Sequence, residues 1–157
     1  TRDYYFEIIE KVRKVKPDIA LSSDFIIGFP GETDKDFEDT IDLIERVKYM
    51  NSYSFKYSPR PGTPAADREE IDEEILNERL KITQDLLNEQ QIKYNNQFVK
   101  KTVQVLINGA GNRSGQIKGK SQFNQSVALQ GEKETIGQII PVQIKEVLTH
   151  SLLGEKI

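Results

Sequence analysis

Tyr5, Ile8, Ile9, Val12 and Val15 recur at helical spacing, and Pro17 ends that run. Ile19 to Ile27 comes next as a strand whose apolar end matches burial on both faces of a parallel sheet. Phe37, Ile41, Ile44 and Val47 mark one face of a helix over 34–49, with Thr33 as N-cap and Asp36 as its capping-box partner. Tyr53, Phe55 and Tyr57 then alternate with Ser54 and Lys56, the period of a strand. Ser-Pro-Arg-Pro-Gly-Thr-Pro at 58–64 continues neither a ladder nor a helix. Asp72 is placed to cap a long helix reaching about Gln97, with Ile75, Leu76, Leu80, Leu86 and Leu87 along its apolar stripe. This order predicts β-α-β crossovers in a parallel sheet or barrel.

Beyond residue 98 the period changes. Val103, Val105 and Ile107 alternate, and Gly109, Gly111 and Gly115 punctuate the next stretch. Short strands are predicted near 116–120, 126–130 and 138–147, with turns at Gly131 and Gly137. Several short strands in so few residues predict a small antiparallel barrel. The boundary is placed near residues 98–101, and no internal repeat is visible. The front half supplies about two parallel strands and three helices, too few to close a barrel. The expectation is therefore the C-terminal piece of something larger.

Charge divides along the same line. Residues 1–98 carry 14 Lys/Arg against 21 Asp/Glu, and residues 99–157 carry 8 against 4, so a front half of −7 precedes a back half of +4. The basic segment is the one suited to a polyanion. The chain has no cysteine and a single histidine, His150. Within these residues the first excludes disulfides and thiolate metal sites, and the second argues against a histidine-based metal site or a Ser-His triad. No apolar run is long enough to span a membrane and no signal-peptide core opens the chain.

The strongest local signal is residues 22–33, Ser-Ser-Asp-Phe-Ile-Ile-Gly-Phe-Pro-Gly-Glu-Thr. A strand runs into a Gly-Pro-Gly turn that opens a helix, and ligands of α/β proteins gather at the carboxyl ends of strands. Taken alone, the segment fits a ligand-facing turn and a bare tight turn equally well.

Asp24-Phe-Ile-Ile-Gly-Phe-Pro-Gly-Glu-Thr33 together with Phe55-Lys-Tyr-Ser-Pro-Arg-Pro-Gly-Thr-Pro-Ala-Ala66 resembles the last strands of the radical S-adenosylmethionine barrel in methylthiotransferases, the tRNA-modifying branch most closely. Ile136-Gly137-Gln138 followed by His150-Ser-Leu-Leu-Gly-Glu155 resembles the ending of a TRAM domain, a small RNA-binding barrel. The resemblance implies an α/β plus all-β chain: the C-terminal portion of a radical-SAM partial (β/α) barrel at 1–98, then an OB-like antiparallel TRAM β-barrel at 99–157. It also implies an activity for the parent enzyme, methylthiolation of an adenosine beside the tRNA anticodon, with N6-isopentenyladenosine as the substrate. The implied cofactors are S-adenosylmethionine and two 4Fe–4S clusters, whose cysteine ligands lie outside this chain. The implied partners are a tRNA anticodon stem-loop and a flavodoxin-like electron donor, with no membrane and no DNA, in the cytoplasm. With no cluster cysteine, this polypeptide alone is expected to be inactive.

By that resemblance Gly28, Phe29, Pro30, Gly31 and Glu32 lie near the adenosyl part of S-adenosylmethionine. For the backbone turn the ligand-facing reading is preferred, whereas Glu32 itself is read more simply as a surface acid complementing a helix start. Asp24 in its apolar strand needs a partner wherever it is buried. Arg60 offers paired donors for an RNA phosphate or the substrate, or a tie to a neighbouring carboxylate. In the barrel, Lys100, Lys101, Arg113, Lys118, Lys120 and Lys145 are candidates for phosphate contacts, and Phe123 and Asn124 for a loop base. A single aromatic between strands is more often core. No catalytic or metal-ligating residue is expected in the chain. The competing functions are a stand-alone RNA-binding module, a methylthiotransferase acting on threonylcarbamoyl-adenosine tRNA or on a ribosomal-protein aspartate, and a nucleotide-binding domain with no RNA role.

Overall fold

A computed structural model describes all residues, 1–157, and divides them into two compact units, 1–91 and 92–157.

The first unit is built around one β-α-β crossover. Helix α1 (Arg2–Val15) precedes strand β1 (Ser22–Ile27), helix α2 (Asp34–Val47) and strand β2 (Asn51–Lys56). The strands pair in parallel, from Ser22 opposite Asn51 to Ile27 opposite Lys56. Phe6 and Ile9 from α1, Ile44 and Val47 from α2, Tyr49, and Leu87 from the long helix α3 (Glu73–Asn96) form the core. Phe25 joins it from the sheet, its ring meeting Tyr49 edge-on at 5.5 Å. The Tyr49 hydroxyl shares a hydrogen bond of 2.8 Å with that of Tyr5. Burial, and then this bond, hold the Tyr49 phenol well above its ordinary pKa, so it stays neutral as a packing group.

The helix ends have identifiable caps. Thr33 and Asp36 make the predicted capping box, each side chain accepting the other's backbone N–H. Helix α2 stops two residues short of the expected end, because Lys48 takes a left-handed conformation (φ 54°) and closes on the Ile44 carbonyl at 3.0 Å. At the start of α3 the Asp72 carboxylate accepts the Glu74 amide at 2.9 Å.

Two expectations for this unit need correcting. Strand β1 begins at Ser22 rather than Ile19, and it is not buried on both faces: Ile26 is 58% exposed. The helices cover only the Phe25 side of the two-stranded sheet. Asp24, Ile26, Tyr53 and Phe55 share the other side, which is open. The stripe of α3 is also rotated from the simplest reading. Ile75 is exposed, and the buried line runs through Leu76, Arg79, Thr83 and Leu87.

The second unit begins in the last turns of α3 and continues as a closed barrel. Its strands are β3 (Thr102–Ala110), β4 (Gln116–Ser121), β5 (Ser126–Gln130), β6 (Ile139–Val147) and β7 (Leu152–Lys156), with a 3-10 turn at Lys133–Thr135. Around the barrel the order is β3-β4-β5-β7-β6. Alternation places Val103, Val105, Ile107, Ile117, Val127, Leu129, Ile140, Val142, Ile144 and Leu152 inside. One detail differs from the expected antiparallel barrel: β5 and β7 are parallel, Val127 facing Leu152. A closed ring of five strands cannot alternate direction throughout, so one pair must run the same way. It falls where β7, the return arm of the β6–β7 hairpin, meets β5.

Candidate functional site

At the end of β1 the chain makes its sharpest turn. Ile27 is fully buried, Gly28 comes next at φ 77°, and Gly31 at φ 92° completes the reversal. The Glu32 amide donates to the Phe29 carbonyl at 2.8 Å. Glu32 then reaches back, and its Oε2 accepts the Gly28 N–H at 3.0 Å. A Cβ on Gly28 would stand 2.3 Å from Leu76 Cδ1, so this glycine admits a side chain of α3. Gly31 faces open space on the exposed side of the turn. Pro30 is buried, whereas Phe29 projects outward and meets the Tyr57 ring edge-on at 5.2 Å.

The second segment leaves β2 beside the first. The Tyr57 amide donates to the Ile27 carbonyl at 2.8 Å, holding the two strand ends together one residue beyond the ladder. The loop after it is closed by Thr63, whose amide and hydroxyl both donate to the Arg60 carbonyl, at 3.1 and 2.8 Å. Arg60 is exposed, and its guanidinium is not tied to a carboxylate of the loop. Asp24 is exposed on the open sheet face, so it needs no buried partner. Tyr57 keeps a buried hydroxyl with no hydrogen-bond partner.

Sequence reasoning missed Arg79. Nη1 of this buried arginine donates to Glu32 Oε1 at 2.7 Å, and Nη2 donates to Asp34 Oδ1 at 2.5 Å. Its guanidinium carbon also stands 5.3 Å from the centre of the Phe37 ring. A signal was present: Arg79 is three residues after Leu76 and four before Thr83, a charge inside the α3 stripe.

The barrel's candidates separate into groups. Lys118 is exposed on β4, and Arg113 sits in the exposed β3–β4 turn. Lys120 is half-buried, its ammonium donating to Ser126 Oγ at 3.0 Å and to the Asn124 carbonyl at 3.3 Å. Asn124 occupies the left-handed corner of that turn at φ 61°. Phe123 packs its ring 4.9 Å from that of Phe98, and Lys101 Nζ lies 5.8 Å from the centre of the same Phe98 ring. Lys100 is exposed at φ 68°, with its amide on the Ile144 carbonyl. Lys145 is drawn into Gln143 and Glu155. The structure adds two exposed apolar residues, Leu106 and Ile139, which face each other across β3 and β6, with Lys120 opposite Leu106 on β4. No helix is long and apolar enough to cross a membrane.

A strand-end turn in an α/β unit, followed by a basic five-stranded barrel, defines a class, and residues 96–157 match the TRAM domain family. The whole chain is similar to enzymes that carry the name tRNA-2-methylthio-N(6)-dimethylallyladenosine synthase. It is 53% identical to that of Rickettsia akari (strain Hartford) over 156 residues, 98% of this chain and 35% of the relative. The Rickettsia felis protein is 52% identical over 158 residues and the Rickettsia bellii (strain OSU 85-389) protein 51% over 156. Over nearly its whole length the chain is thus similar to the C-terminal part of these synthases, with a TRAM-domain match at 96–157, and it spans about a third of their length.

Proposed function

We propose that this chain works as the C-terminal portion of an enzyme that methylthiolates C2 of N6-isopentenyladenosine beside the anticodon of tRNA, by radical S-adenosylmethionine chemistry in the cytoplasm. The first unit contributes part of the cofactor and substrate face, and the TRAM barrel holds the tRNA. The supporting observation is the pair of turns, Gly28–Glu32 and Ser58–Thr63, leaving adjacent parallel strands at the same edge. Strand ends of this kind are where α/β folds collect ligands.

The residues fit S-adenosylmethionine in three respects. Phe29 presents an exposed ring for a nucleoside, Gly31 leaves the backbone open to close approach, and the unpaired Tyr57 hydroxyl has hydrogen-bonding capacity to offer. When bound, that group supplies the radical that abstracts hydrogen. The work assigned to these residues is to grip its adenosyl end. Gly28 and Pro30 shape the turn, and Glu32, with both carboxylate oxygens engaged, holds it. The residues do not fit iron–sulfur clusters, since the chain offers no thiolate. Those ligands are assigned to parts of the enzyme beyond these residues, and the electrons to a separate flavodoxin-like partner.

On the barrel, Lys118, Lys120, Arg113, Lys100 and Lys101 supply phosphate contacts, with Phe123 and Asn124 at the rim and Arg60 on the first unit. Binding of the chain to an unmodified tRNA anticodon stem-loop across a salt series tests this assignment. Affinity that falls steeply with salt is expected. A folded chain that shows no binding at low salt overturns it.

A further inference from the structure

Glu32 is the one acid of the turn, and both of its carboxylate oxygens are already engaged from inside the protein. Oε2 holds the Gly28 amide and Oε1 holds Arg79. The Arg79 and Glu32 side chains are 8% and 11% exposed, against 94% for Asp34. The Asp34 contact therefore contributes little in water, while the Glu32 contact is shielded. Leu76, one turn earlier on α3, fills the space over Gly28 where a Cβ would stand. Two successive positions on one face of α3 thus bear on the turn, one by contact with its first glycine and one by charge on its last residue.

We propose that Arg79 is a positioning residue for the S-adenosylmethionine site: it acts through Glu32 to hold the Gly28–Glu32 backbone in its ligand-accepting shape. This rests on the function proposed above. The physical basis is preorganisation. Gly28 and Gly31 lie in left-handed conformations and supply no side-chain packing of their own. A turn made of two glycines has a large conformational entropy to lose on binding. Glu32 bridges its two ends, from its own helix start back to the Gly28 amide. Arg79 fixes the Glu32 rotamer, helped by its stack on Phe37. Without the arginine, Glu32 would be a shielded carboxylate with an unpaired oxygen. It would turn toward solvent and release the Gly28 amide.

The test has two arms. In this chain, amide hydrogen exchange at Gly28 in Arg79→Gln and Arg79→Lys reads the latch directly. Faster exchange at Gly28, with core protection at Ile44 retained, is expected. Unchanged Gly28 protection overturns the proposal. In the full-length, cluster-loaded enzyme, equilibrium dialysis of S-adenosylmethionine is compared with binding of the tRNA stem-loop. Arg79→Gln is expected to weaken the cofactor about tenfold and to leave the RNA affinity unchanged. Arg79→Lys, which keeps the charge but loses the fork, is expected to lie between and carries the comparison wherever the glutamine variant does not fold. Adding Glu32→Gln to Arg79→Gln should cost nothing more, since both act through one contact. Equal loss of cofactor and RNA binding, or no loss of either, overturns the proposal. A wild-type enzyme that binds no S-adenosylmethionine, with the Gly28 latch still visible by exchange, overturns the function instead and leaves the arginine a purely structural tie.

Discussion

The side-chain amide of Gln125 donates to the Asn95 Oδ1 at 2.8 Å, and both residues are buried. Gln125 belongs to the turn before β5 and Asn95 to the last turn of α3, so the helix end is part of the barrel unit. Ser121 completes the set, its hydroxyl bonding to Gln125 Oε1 at 3.0 Å and accepting the Phe123 and Gln125 amides. The rings of Tyr94, Phe98 and Phe123 pack in sequence beside it, tilted to one another, with centroids 5.4 and 4.9 Å apart. Phe123, read from the sequence as a candidate base platform, thus spends one face on packing.

Asn95→Ala leaves the buried Gln125 amide without an acceptor and is expected to cost the barrel about 1–3 kcal/mol. Gln125→Ala should cost a similar amount, and the double variant less than the sum. Urea unfolding of the chain, followed by amide exchange at barrel residues, separates this loss from any change in the first unit. A barrel that loses no stability in either variant would show the pair to be incidental.

A methyl group at position 119 meets backbone. The Cβ of an alanine there would stand 2.2 Å from the Leu106 carbonyl oxygen and 2.7 Å from Val105 Cγ1, with β3 directly paired alongside. A flexible side chain would yield, but a carbonyl in a ladder does so only by opening the sheet. Gly119→Ala is expected to destabilise the barrel by about 3 kcal/mol. Gly31→Ala meets no atom and pays only for its left-handed backbone, about 1 kcal/mol. Thermal unfolding of the two variants should rank them in that order.

How far the sequence revealed this structure depended on how local the cause was. The capping box of Thr33 and Asp36, the strands after residue 100 and their inward alternation were legible because each depends on nearest neighbours. The parallel β5–β7 pair was not, since it arises from closing a ring of five. Open burial on β1 was missed because a run such as Phe25-Ile26-Ile27 reads as buried whether or not a second layer exists. Ile26, Tyr53 and Phe55 are apolar toward open space, and nothing in their own period records that. In the site, the glycine turn stood out from its residue types. Arg79 did not, since its partner Glu32 is 47 residues away.

Helix α2 should show the pH dependence of its cap. The Asp36 carboxyl is held below the ordinary aspartate range, first by the Thr33 hydroxyl and then by the Thr33 amide. A carboxyl with a folded pKa below its unfolded value adds stability that is present above the unfolded value and is lost as pH falls through the folded one. Acidification below pH ~4 should therefore fray the first turn of α2, read as a loss of amide protection, relative to intrinsic exchange, at Thr33. Thr33→Ala should cost about 1 kcal/mol at neutral pH. It should also shrink the pH effect to the part that the backbone amide at position 33 supports. If the effect is undiminished in Thr33→Ala, the Thr33 hydroxyl is not part of the proton-linked contact.

Lys118 and Lys120 sit two residues apart on β4 and should nonetheless behave differently. Lys118 is exposed with a free ammonium, so Lys118→Ala removes charge and little else. The Lys120 ammonium closes the turn through Ser126 and the Asn124 carbonyl. For an anticodon stem-loop, loss of one phosphate contact at Lys118 should lower the slope of log affinity against log salt by about 0.7–0.9, with an unchanged melting temperature. Lys120→Ala should lower the slope and the melting temperature together, by a net hydrogen-bond loss of about 1 kcal/mol or less at this half-exposed site. Lys120→Arg keeps the charge and should restore the slope more fully than the stability. A Lys118→Ala variant with an unaltered slope would move the phosphate track off β4, toward Lys100 and Lys101 at the entrance to β3.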